Sequence, residues 1–159
     1  MKKFLVVVLA VALFSGCGKK DTAAQYEGVK EQRDYVSQGL KFLQQGDVLK
    51  AIHSLDEAIR QDPTNAEKYM VLGQVYMQLK RYDRAVDTLA AAVKVAPDNG
   101  DAQYFLALNM VLAGRVDEAV PMVQKSIEIF QQKRDQEKFK RSLTLLKGIK
   151  DGTITKAEK

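Results

Sequence analysis

The 159-residue sequence holds one cysteine, one histidine, three prolines and no tryptophan. A lone cysteine excludes a disulfide framework, a cysteine-built zinc site and a CxxC redox pair. A lone histidine leaves zinc chemistry or a Ser-His-Asp triad short of groups. Glycine-rich phosphate loops, a nucleophile elbow and a base–nucleophile pair are also missing. The sequence therefore reads as a non-enzyme that needs no cofactor and no metal. Charged residues make up 28% of the chain and alternate in sign, which excludes collagen-like and low-complexity classes.

Long apolar runs are scarce as well. The longest, Phe4 to Phe14, follows Lys2 and Lys3 and precedes Ser15-Gly16. As a helix it reaches only about 16 Å, against about 30 Å of hydrocarbon core, so it fits a secretory signal better than a permanent span. The lone Cys17 comes directly after those small residues. Phe14-Ser15-Gly16-Cys17 resembles the lipobox of bacterial lipoproteins. The resemblance implies that 1–16 is a signal peptide and that Cys17 carries acyl (palmitate-type) chains. It also implies an exported, membrane-anchored protein, with Gly18 pointing to the periplasmic face of the outer membrane. An ordinary signal followed by a buried cysteine is the alternative. Residues 17–28 are small and polar and read as a tether, with Tyr26 as its one large side chain.

Internal repetition dominates the remainder. Tyr35 and Tyr69, Gly39 and Gly73, and Pro63 and Pro97 stand 34 apart. Ala51, Ala85 and Ala119 keep the step, as do Leu55, Leu89 and Val123, and Ala58, Ala92 and Ser126. Apolar residues recur at three and four within each segment, which predicts amphipathic helices near 29–45, 48–61, 66–79, 82–95, 100–113 and 116–131. Gly73 is expected to face Ala85 so that two helices approach closely. Asp62-Pro63 and Ala96-Pro97 end helices, because the residue before proline avoids the helical region. Gly46 and Gly114 mark tight turns.

These series resemble the tetratricopeptide repeat. The second unit, 66–99, shows Tyr69, Leu72-Gly73, Tyr76, Ala85, Leu89, Ala92 and Pro97; the first, 32–65, has Gln38 where leucine is usual. The third, 100–133, departs at Gln103, Ala107 and Gln131. The resemblance implies an all-α, right-handed α-solenoid of about three helix-turn-helix repeats spanning 29–150. A capping helix over 134–149 is expected to bury Phe139, Leu143, Leu146 and Ile149, with Gly148 and Gly152 bracketing its end and 151–159 frayed.

By the same resemblance, first helices of successive pairs line a concave groove. The lining would be Arg33, Val36, Leu40, Leu43 and Gln44, then Glu67, Met70, Gln74, Met77 and Gln78, then Asp101, Tyr104, Leu108, Val111 and Leu112. It is apolar and lacks the basic set that grips a carboxylate. The expected partner is a protein helix or peptide, and the expected role is a lipid-anchored adaptor, with pilus, secretin or outer-membrane protein assembly suggested by analogy. Self-association without a foreign ligand is the alternative, and a groove filled by the chain's own residues stays open. His53 with Asp56 and Glu57 reads as a surface histidine. Nucleic acid is not expected as a partner. Residues 133–159 hold nine basic and four acidic side chains, which suits either a solvated helix face or contact with anionic headgroups or an acidic partner.

Overall fold

The structure, a computed structural model, describes residues 34–154. The signal segment, Cys17, the tether with Tyr26, Arg33 and residues 155–159 lie outside the described residues. Within them are seven helices: α1 Tyr35–Gln44, α2 Val48–Gln61, α3 Ala66–Gln78, α4 Tyr82–Val95, α5 Gly100–Leu112, α6 Val116–Gln132 and α7 Gln136–Lys150. Each helix packs on the next in sequence, so the chain restacks antiparallel pairs.

Local signals set most helix starts. The side chains of Asp34, Asp47, Asn65, Asn99 and Asp135 accept from backbone N–H groups of the following first turns. Asp34 places the start of α1 at Tyr35, six residues later than the apolar spacing suggested. A side-chain cap outweighs a continuing periodicity, because it satisfies donors that the first turn leaves orphaned. Helices α4 and α6 begin after arginines without a side-chain cap and carry Asp83, Asp117 and Glu118 in their first turns instead. Between pairs, Asp62 and Ala96 leave the helical region ahead of Pro63 and Pro97.

The turns inside pairs repeat with the same step. Gly46, Lys80 and Gly114 all have positive φ, at 77°, 56° and 84°. Arg134, at 57°, makes this same type of turn between α6 and α7, where the proline linker is replaced by Gln131. Its N–H donates to Gln131 O, and that of Asp135 donates to Phe130 O, which closes the end of α6 as a Schellman-type turn. Helix α6 thus runs to Gln132, and Pro121 inside it does not break it.

Close approach within pairs comes from glycine against leucine. A Cβ built on Gly39 would sit 2.9 Å from Leu55 Cγ, and one on Gly73 only 2.6 Å from Leu89 Cγ. Gly73 therefore meets Leu89 most closely, and Ala85, expected to face it, is fully buried in the same core. One step further along the chain this pair becomes Ala107 and Val123, both fully buried. One side chain gains a methyl where the other loses a carbon, so the summed volume is nearly kept. Gln103 makes a second substitution of this kind. Its Nε2 donates to Pro97 O at 3.1 Å, as Tyr69 Oη donates to Pro63 O at 3.1 Å.

The capping helix is rotated from expectation. Helix α7 buries Ser142, Leu145, Gly148 and Ile149, while Leu143 is 41% exposed and Phe139 and Leu146 are half-buried. Two features invisible to an apolar pattern set that rotation. The buried hydroxyls of Ser126 and Ser142 pair at 2.7 Å, and Ile154 folds over Gly148, where a Cβ would meet its Cδ1 at 2.5 Å. Gly148 is thus inside the helix and does not end it. Thr153 and Ile154, read from sequence as tail, donate backbone N–H groups to Gly148 O at 2.9 and 3.1 Å.

Candidate functional site

Helices α1, α3, α5 and α7 are the alternate elements of the stack. Helix α3 touches α5, and α5 touches α7, along one side of it. Between α1 and α3 a cleft of about 520 Å³ opens, lined by Val36, Asn65, Glu67, Lys68, Met70, Val71 and Gln74. Four residues expected from the sequence, Val36, Glu67, Met70 and Gln74, are thereby brought together. The lining is aliphatic and thioether at Val36, Val71 and Met70, amide at Asn65 and Gln74, and of opposite charge at Glu67 and Lys68. Met70 is flexible and polarisable, suited to an irregular apolar contact. Its Sδ lies 3.5 Å from Asn99 Nδ2, so the same side chain reaches from the cleft toward α5.

Asn65, Lys68 and Val71 were missed. Asn65 is in view because it caps α3, its Oδ1 accepting from Glu67 N at 3.0 Å. Lys68 is held by Asp62 at 3.4 Å with its side chain 18% exposed. Its charge is also one of the weaker causes lowering the Asp34 carboxyl below its ordinary value, behind the hydrogen bonds from Ser37. For Asn65 and Lys68, the cap of α3 and its first turn are the available signal; Val71, a turn further on, had none.

The remaining expected residues spread over different environments. Leu40 is 43% exposed, and Gln44 and Gln78 are exposed. Leu43, Met77, Tyr104 and Leu108 are half-buried and pack on the core, and Leu112 is half-buried. Val111 is 0% exposed. It belongs to the interior and not to the groove, because α5 is surrounded by α4, α6, α3 and α7 and has apolar residues on nearly every side.

The third repeat's concave positions are engaged from within the chain. Lys138 Nζ donates to Asp101 Oδ2 at 2.7 Å, and Arg141 Nη2 donates to Asp101 Oδ1 at 2.9 Å. The Arg141 guanidinium also lies 4.3 Å from the centre of the Tyr104 ring. Burial pushes the Tyr104 phenol above its ordinary pKa, and Arg141 partly opposes that. Lys138 and Arg141, absent from the sequence-based lining, therefore shape this end of the face. The excess of positive charge near the C-terminus was their only trace in the sequence.

Among the described residues no three His, Cys, Asp or Glu side chains group as metal ligands, and His53 stands exposed on α2. No described helix is long and apolar enough to cross a membrane.

A tetratricopeptide repeat family model matches residues 42–107. The fold is a solenoid of tetratricopeptide-like helix pairs. Solved structures agree. The Yersinia enterocolitica type III secretion translocator chaperone SycD superposes with a TM-score of 0.66 at 18% identity, over 75% of this chain and 83% of that one. PcrH, in complex with the chaperone binding region of PopD, gives 0.67 at 15% identity, over 75% and 90%. The TPR2B domain of yeast Sti1, in a pHsp70 complex, gives 0.67 at 14% identity, over 74% and 94%. Curated proteins returned no sequence match. The tetratricopeptide match ends at Ala107, within the unit whose Gln103 and Ala107 depart from the pattern.

Proposed function

We infer that the chain is a non-catalytic, lipid-anchored adaptor that takes a helix or extended segment of another protein on the concave side of its repeats. The observation that carries this is the cleft between α1 and α3. There Val36, Met70 and Val71 line the cleft together with polar Asn65, Glu67 and Gln74, a mix that suits an amphipathic segment. Peptide complexes among proteins of this fold support the reading, since PcrH and the Sti1 domain both hold segments of other proteins. Anchoring and an exported membrane face are read from Cys17 and the apolar run before it, and a role in envelope assembly is drawn by analogy.

Photo-crosslinking from position 74 in the native envelope, followed by partner identification, tests it. Met70→Asp combined with Leu40→Asp should abolish the crosslinked product while leaving the helical signal unchanged. Retention of every product in that variant would assign binding elsewhere. Concentration-dependent light scattering by the purified chain would instead support the self-associating alternative.

A further inference from the structure

Charge is segregated along the described residues. Residues 34–132 carry ten basic and thirteen acidic side chains, whereas residues 133–154 carry seven basic and three acidic. On α7 the basic residues divide into two groups. Lys138 and Arg141 turn to Asp101. Lys140, Lys147 and Lys150 are exposed and form no ion pair among the described residues.

At 3.6 residues per turn, these three lysines share one side of α7 with Phe139, Leu143 and Leu146. No acidic residue falls within that side; Glu137 and Asp151 lie beyond its edge. Part of this side is left out of the core by the Ser126–Ser142 pair: Leu143 stands 41% exposed between lysines, while Phe139 is half-buried and Leu146 rests its inner edge on the core. A run of acidic residues alone would answer the lysines and leave the exposed Leu143 unmatched. A surface of negative headgroups over an apolar layer answers both, with ammonium groups on phosphates and Leu143 at the acyl boundary. We propose that this side of α7 docks on an anionic phospholipid bilayer. The proposal is independent of what the cleft between α1 and α3 binds.

The test uses the full chain carrying Cys17→Ser and Leu143→Cys, with an environment-sensitive fluorophore on the new thiol. It is reconstituted with vesicles of phosphatidylcholine alone, or of phosphatidylcholine mixed with phosphatidylglycerol. The expected result is a blue shift on the mixed vesicles only, reversed by high salt. The same label at Leu49→Cys on α2, 78% exposed, should not respond. Lysine near an anionic surface contributes about fivefold each. Lys140→Gln, Lys147→Gln and Lys150→Gln together should therefore lower the docked-to-undocked ratio about 100-fold. All three sites are exposed, so the fold is kept, and circular dichroism verifies it. Equal spectra on both vesicle types overturn the proposal. So does a shift that follows protein-to-lipid ratio regardless of lipid charge, which assigns the face to a second copy. A shift produced only by added polyglutamate overturns it too, in favour of an acidic polypeptide.

Discussion

Gly73 and Leu89 offer a direct test of how the repeats pack. A methyl on Gly73 would lie 2.6 Å from Leu89 Cγ, 2.8 Å from Cδ2 and 3.2 Å from Cδ1, and Leu89 is fully buried. Leucine cannot retreat there without moving a filled core, and three of its atoms are met at once, so overpacking falls in the upper part of the usual range, about 2–3 kcal/mol. Replacing glycine inside a helix returns about 1 kcal/mol of backbone propensity, so Gly73→Ala alone should lose about 1–2 kcal/mol. Leu89→Val alone opens space and should lose about 1 kcal/mol. Together they recreate the Ala107 and Val123 pair of the third repeat, and the double variant should lie within about 1 kcal/mol of the parent. Urea unfolding followed by circular dichroism gives all four corners of the cycle. The coupling should be about 1–2 kcal/mol in favour of the pair. If Gly73→Ala proves neutral or stabilising, or if the two losses simply add, the compensation argument fails.

Two further outcomes follow from local geometry. Hydrogen bonds from the Lys50 side chain and backbone hold the Asp47 carboxyl below its ordinary pKa of 3.8. A depressed folded-state pKa contributes stability that is present above that ordinary value and is lost as pH falls through the folded one. Asparagine caps as well as aspartate but does not titrate in this range. Asp47→Asn should therefore leave Tm near neutrality unchanged and flatten its decline below about pH 4, as thermal scans across acid pH would show; an unchanged acid limb refutes the assignment. Lys80 sits at φ 56° where the other two pairs use glycine. Lys80→Gly should raise stability by about 0.5–1 kcal/mol, and the reverse exchange Gly114→Lys should lower it by about as much. Equal urea midpoints for the two variants would contradict this.

The number of helices, their pairing and most of their ends were legible in the residue order, because caps, prolines and a 34-residue step act within a turn or two of the chain. Gly46, Asp62-Pro63, Asn65 and Asn99 each specify a backbone state by themselves. The start of α1 shows the boundary of such reasoning: the apolar spacing pointed upstream, and the Asp34 cap to Ser37 decided the matter.

What depended on long-range contact was which side of each helix is spent on the interior. Val111 reads like a groove residue, but it is enclosed because α5 has neighbours all around. Leu143 fits the apolar stripe of α7 but is turned outward by a serine pair sixteen residues apart and by Ile154 closing over Gly148. Asp101 offers a free carboxylate on paper, and Arg141, forty residues away, claims it while covering Tyr104. Periodicity records only that a side chain is apolar. Burial is a property of the neighbours that close over it, and those are set only when the pairs stack.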